Sequence, residues 1–181
     1  SVIEVAAQAM RGGLNQYPPG HGNPVLIEAI RAHQARHYGQ ELGTDQVVVT
    51  TGATEAIAAS ILALVDPDDE VITIDPAYDS YPAMIAFAGG VRRSITLRAP
   101  DFTVDLEALE QLITPATKVL LCNSPHNPTG RVFSRAELAG IAELAIRHDL
   151  IVVSDEVYEH LTFDDHTHIP LATLPGMTER T

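Results

Sequence analysis

Two short polar segments each follow an apolar run. Ser124-Pro-His-Asn-Pro-Thr-Gly130 comes after Val119-Leu-Leu-Cys122, and Ser154-Asp-Glu-Val-Tyr158 comes after Leu150-Ile-Val-Val153. Runs this short and this apolar read as buried strands, and polar clusters at the carboxyl ends of such strands are where an open α/β sheet holds its ligand. In the first segment two prolines stiffen the loop around Asn127, whose amide can donate to a phenolate or carboxylate oxygen. Asn123 is placed to line the same mouth. In the second, Asp155 ends an apolar strand, and a carboxylate there needs a cationic partner. A protonated ring nitrogen would serve, and Asp155 would in turn keep it protonated. Tyr158, one helical turn on, can reach a hydroxyl of the same ring. Asp155 can also act as an N-cap. The two clusters together suit a flat, basic, hydrogen-bonding heterocycle.

Two further segments add to this set. Thr50-Thr-Gly-Ala-Thr-Glu-Ala56 joins a strand to a helix. Gly52 permits close backbone approach, and the amides near Ala53 and Thr54, with the Thr54 hydroxyl, make a phosphate seat at a helix N-terminus. An ordinary capped α/β turn has the same composition. In Asp75-Pro-Ala-Tyr-Asp-Ser-Tyr81, Pro76 stops a strand and displays Tyr78, which can stack on an aromatic ligand or pack on a neighbouring loop. His126 reads as a local structural partner, because no second ligand stands at metal spacing. Glu156 reads as structural or solvent-facing, and Cys122 as core packing.

The elements that must position these residues alternate between strand and helix. Asn23-Pro24 opens a helix with Asn as cap and Pro at the first position; Leu26, Ile27 and Ile30 face a core and Gly39 is the stop. Gln46 to Thr50 reads as a strand, Gly52 to Leu64 as a helix and Val71 to Ile74 as a strand. Tyr81 to Phe87 is a short helix and Val91 to Leu97 a strand. Asp105 caps a helix through Leu112, and Lys118 to Cys122 is a strand. The capping box Ser134-Arg-Ala-Glu137 starts a helix to about His148, and Leu150 to Ser154 is a strand. This alternation predicts an α/β fold with a mostly parallel sheet covered on both faces.

Bulk properties exclude several classes. The 181 residues suffice for one sizeable core, and 45% hydrophobic with 19% charged residues is a globular composition. A net charge of −13 disfavours nucleic acid and anionic membranes as partners, though local helix dipoles can still hold a phosphate. No apolar run is long enough for a membrane span and no signal peptide is evident. The single cysteine excludes an internal disulfide and fits a cytoplasmic protein.

Taken in order, Asn15-Gln-Tyr17, Thr51-Gly-Ala-Thr-Glu-Ala56, Pro76-Ala-Tyr-Asp-Ser-Tyr81, Ser124-Pro-His-Asn-Pro-Thr-Gly130 and Ser154-Asp-Glu-Val-Tyr158 resemble the large domain of the fold-type I, class I/II pyridoxal-phosphate-dependent aminotransferases. The resemblance implies a three-layer αβα domain and pyridoxal phosphate as cofactor. It assigns Gly52, Ala53 and Thr54 to the cofactor phosphate and Tyr78 to the ring face. It assigns Asn127 to the ring's 3′-oxygen and to placing the substrate carboxylate, and Asn123 counts with the cofactor-binding residues at the same mouth. Asp155 pairs with the pyridinium nitrogen, and Tyr158 donates to the phenolic oxygen. Tyr17 would reach the partner subunit's phosphate in a homodimer. Amino acid and 2-oxo acid substrates follow. The continuation after Tyr158 and Tyr17-Pro-Pro-Gly20 are most similar to the kynurenine, methionine and N-succinyldiaminopimelate transaminases.

The resemblance is incomplete. It calls for a lysine that forms a Schiff base and moves the proton, one strand after Tyr158. The one lysine, Lys118, precedes its strand at the end opposite Asn123 and reads as a solvated surface charge. Pro170 to Thr181 reads as the approach to the next strand. The expectation is a large-domain fragment: residues 1–22 as a lead-in, residues 23–181 as the cofactor-binding domain, the small domain and catalytic lysine missing, and no useful turnover. Two alternatives keep the cofactor: a carbon–sulfur β-lyase, and a non-catalytic binding module, as in regulators that carry this fold behind a DNA-binding domain.

Overall fold

The computed structural model describes residues 1–181 and divides into two compact units, Ser1–Thr50 and Thr51–Thr181. In the first, helix α1 (Val2–Arg11) is capped by Ser1 and helix α2 (Pro24–Tyr38) by the Asn23 side chain, which accepts from Val25 N. Gly39 ends α2 at φ 68°, a left-handed conformation open to glycine at no steric cost. The apolar face of α2 is narrower than the pattern predicts: Ile27 is buried, Ile30 half-buried and Leu26 exposed.

The strand expected over Gln46 to Thr50 does not form. A single 3₁₀ turn covers Thr44–Gln46, and the β-branched run then continues extended, with Val47 at φ −123° and ψ 124°. Val49 N donates to His21 O at 2.8 Å, but the run joins no ladder. β-Branched residues favour an extended backbone; a strand also requires a neighbouring strand to receive its amides.

The second unit holds the sheet. Its elements are α3 (Gly52–Leu64), β1 (Glu70–Asp75), α4 (Ser80–Phe87), β2 (Val91–Thr96), α5 (Leu106–Leu112), β3 (Thr117–Asn123), α6 (Arg135–Arg147) and β4 (Ile151–Asp155). The four strands lie in the order β2-β1-β3-β4 and every pairing is parallel. Strand alternation sorts the apolar side chains onto two faces. Val71, Val119 and Leu121 pack against Ile57 and Ile61 of α3 and Tyr81, Met84 and Ile85 of α4. Ile72, Ile74, Leu120, Cys122 and Val152 pack against Leu109 of α5 and Leu138, Ile141 and Ala145 of α6. Three layers result, as the sequence predicts.

The chain moves one way across the sheet from β1 to β2 through α4, then the other way to β3 and β4 through α5 and α6 on the opposite face. Changing direction and face together keeps the hand of the crossovers constant. The reversal puts a topological switch point between β1 and β3. The last segment forms 3₁₀ turns at Leu171–Thr173 and Thr178–Arg180, and Leu171, Leu174 and Met177 close the α6 side of the core.

Candidate functional site

A cavity of about 250 Å³ opens at the carboxyl ends of β1, β3 and β4, beside that switch point, where open α/β sheets bind ligands. Ala53, Thr54, Tyr78, Asn123, Asn127, Asp155 and Tyr158 all line it, together with Ile57, Tyr81 and Val157. Of the second-unit residues assigned to the cofactor, only Gly52 is not in the wall; it precedes Ala53 as the first residue of α3. Its φ of 77° explains the glycine, because a side chain there would be strained even though the space around it is open. Tyr17 belongs to the first unit and is fully exposed.

The phosphate-seat residues begin α3. Thr51 N donates to the Glu55 carboxylate, and this bond holds the Glu55 pKa below its ordinary value. Ala53 and Thr54 lie in the first turn, where backbone N–H groups point out along the helix axis and the dipole favours an anion.

Asp155 forms the floor. It is 9% exposed, and its carboxylate accepts from two neutral donors, the Tyr81 hydroxyl at 2.6 Å on Oδ2 and Val157 N at 3.2 Å on Oδ1. The bond to Val157 is an Asx turn, so residues 157–160 form a turn and not the helix expected to carry Tyr158. No Lys, Arg or His lines the cavity, so the expected cationic partner of Asp155 is not supplied by its walls.

Asn123 ties the two motifs together. Its Nδ2 donates to Asp155 O at 2.9 Å, and its Oδ1 accepts from Asn127 N at 2.7 Å. The Asn127 loop is fixed further by His126, buried against Phe133 with ring centroids 5.7 Å apart and its Nδ1 2.8 Å from Thr129 Oγ1. Burial lowers the His126 pKa, which favours the neutral ring. His126 is thus the local structural partner the sequence predicts. Tyr78 sits edge-on to Tyr81, centroids 5.7 Å apart, with about a third of its surface exposed.

Glu156 is a brace. Its carboxylate accepts from Ser154 Oγ, Leu171 N and His168 Nε2, pinning residues 168–171 to the end of β4. Cys122 is buried in the core, and burial pushes its thiol pKa far up, which makes it inert. Lys118 stands at the amino-terminal end of β3, away from Asn123. It is not simply solvated: Asp69 and Asp66, 3.1 and 3.4 Å away, hold the ammonium and raise its pKa.

Tyr81 is the polar cavity residue that sequence reasoning missed. Its signal was the nearby Tyr78, three residues before it in the turn that leads into α4, where Tyr81 N donates to Tyr78 O.

A model of the aminotransferase class I and II family matches residues 1–180. The chain belongs to this family. It is 50% identical to a probable N-succinyldiaminopimelate aminotransferase of Mycobacterium tuberculosis over 99% of its own length and 46% of that protein's. It is 40% identical to mouse kynurenine–oxoglutarate transaminase 3 over 98% of its length and 42% of that protein's. The solved M. tuberculosis N-succinyldiaminopimelate aminotransferase superposes with a TM-score of 0.96, covering 98% of this chain and 47% of that one. The chain thus spans about half the length of the curated relatives it matches. Class I and II aminotransferases use pyridoxal phosphate. The donor set fits that group: a helix N-terminus for an anion, a buried carboxylate held by neutral donors for a ring cation, and amide and phenol groups for a phenolic oxygen.

Proposed function

We propose that this chain carries the cofactor seat of an enzyme that transfers an amino group between an amino acid and a 2-oxo acid. The observation that carries the reading is Asp155, a buried carboxylate facing a cavity with no cationic side chain in its wall. A buried anion in that setting favours a bound cation, and the pyridinium nitrogen of the cofactor supplies one. When bound, pyridoxal phosphate acts as an electron sink for the substrate's α-carbon. Asp155 holds the ring nitrogen protonated. Asn127 and Tyr158 donate to the phenolic oxygen, Tyr78 covers a ring face, and Gly52, Ala53 and Thr54 receive the phosphate. Asn127 also orients the substrate carboxylate. Tyr17, exposed in the first unit, suits a role toward a partner subunit's phosphate in a homodimer. Asn123, with both ends of its amide engaged, acts on the cofactor by holding Asn127 and Asp155 in register.

Lys118 has no covalent role in this scheme. Borohydride reduction of the purified protein with pyridoxal phosphate leaves Lys118 unmodified by peptide mass mapping; an adduct there accompanied by turnover would overturn the assignment.

Identity of 50% to the N-succinyldiaminopimelate enzyme, against 40% to a kynurenine enzyme, makes N-succinyldiaminopimelate with 2-oxoglutarate the first pair to assay. Formation of glutamate, assayed in the enzyme whose cofactor seat this chain carries, supports the proposal. Pyruvate and ammonia released from a cystathionine-type substrate without any acceptor would replace transamination with β-elimination.

A further inference from the structure

We propose that Tyr81 is a positioning residue that holds the Asp155 carboxylate aimed into the cavity. The inference rests on the cofactor-seat reading and adds a residue to it. Tyr81 is 2% exposed and lies in the core between α4 and the sheet, with its hydroxyl 2.6 Å from Asp155 Oδ2. That separation is typical of a hydroxyl donating to an ionised carboxylate.

The donor cannot become a competing anion. Burial, reinforced by the hydrogen bond to Asp155, drives the phenol pKa far above its ordinary value. Tyr81 therefore remains a neutral donor throughout the working range of pH. Asp155 is held at both oxygens, Oδ2 by Tyr81 and Oδ1 by Val157 N, so its rotation is restricted. A cationic residue in place of Tyr81 would satisfy the carboxylate and weaken its pull on a ring cation. A phenol stabilises the negative charge without cancelling it. The Tyr81 ring also backs Tyr78, so one residue supports both the floor and a wall.

The test is a double-mutant cycle on the purified protein, with pyridoxal phosphate affinity read by fluorescence titration and apoprotein stability read by thermal melting. Tyr81→Phe keeps the ring and deletes the donor. The expected result is a loss of affinity of about tenfold or more, because hydrogen bonds to charged groups contribute about 1.5–3 kcal/mol. In the Asp155→Asn background, Tyr81→Phe has no further effect on affinity. Wild-type affinity in Tyr81→Phe, or an equal loss in both backgrounds, would overturn the proposal. If Tyr81→Phe lowers the apoprotein melting temperature, the Asn background still decides. If Asp155→Asn itself binds like wild type, the cofactor-seat reading fails; if Asp155→Asn is impaired and Tyr81→Phe is not, only the role of Tyr81 fails.

Discussion

Asp155 and Glu137 are each 9% exposed, yet their surroundings differ. Glu137 accepts from Val104 N, from the backbone and hydroxyl of Ser134, and from an Arg131 guanidinium that reaches both of its oxygens at 2.7 Å. Burial alone would raise its pKa; the bonds from Val104, Ser134 and Arg131 outweigh that and bring it to about 2. Asp155 has two neutral donors and a cavity in front of it. A carboxylate enclosed by its own fold's cation is a fastener. A carboxylate met only by neutral donors, with a cavity before it, is available to a ligand. Burial does not distinguish the two; the partner set does.

The comparison is tested first by removing each carboxylate. Asp155→Ala is expected to lower pyridoxal phosphate affinity by roughly a hundredfold or more, in line with the 2–5 kcal/mol cost of truncating one member of a buried charge pair. Its circular dichroism stays near wild type, and its melting temperature falls only modestly as the buried Tyr81 hydroxyl loses its acceptor. Retained affinity would show that Asp155 is not the ring's partner. Glu137→Ala should do the converse, destabilising the fold by about 2–3 kcal/mol in chemical denaturation. That is toward or below the low end for breaking a buried ion pair, because Arg131 keeps some access to solvent. Cofactor affinity per folded molecule is unchanged. A variant that lost affinity without losing stability would erase the distinction.

The two carboxylates were not equally legible in the sequence. The Ser134-Arg-Ala-Glu137 spacing announced a capping box, and both reciprocal bonds are present. The strand–helix alternation gave the parallel sheet because buried strands carry unbroken apolar runs, and Asp155 stood out as the polar end of one. Arg131's clasp on Glu137 was invisible, since it depends on how the loop after β3 folds back. Tyr81's bond to Asp155 spans 74 residues and arises only when α4 lies against the end of β4. The Gln46–Thr50 run misled because local preference specifies an extended backbone but not a ladder partner. The burial of Leu26 misled because helical periodicity shows which side is apolar, not how much of it is covered.

A smaller effect sharpens the contrast through pH. The Glu137 pKa falls from 4.5 to about 2 on folding, so between those values the unfolded chain binds more protons than the native one. Its stabilising contribution is complete above about pH 4.5 and is lost as pH falls toward 2. Denaturant midpoints measured from pH 6 to pH 3 should therefore decline on the acid side, and Glu137→Gln should flatten part of that decline. An unchanged acid slope in Glu137→Gln would place the native Glu137 pKa near its ordinary value and remove the charge from the account of the fastener.

The smallest effect separates the fastener's cap from its ion pair. Ser134 Oγ donates to Glu137 Oε2 at 2.7 Å and accepts from Glu137 N at 3.2 Å, so it serves both the carboxylate and the first turn of α6. Ser134→Ala is expected to cost about 1 kcal/mol, the usual loss for an N-cap hydroxyl. Arg131 and Val104 N remain to hold the carboxylate, so most of the acid slope should survive the substitution. If Ser134→Ala instead matched Glu137→Ala in denaturation, the hydroxyl would be the keystone of the cluster and Arg131 an accessory. If it cost nothing, water would be replacing the cap at this helix start, leaving the Arg131–Glu137 pair as the part of the fastener that holds the loop after β3 against α6.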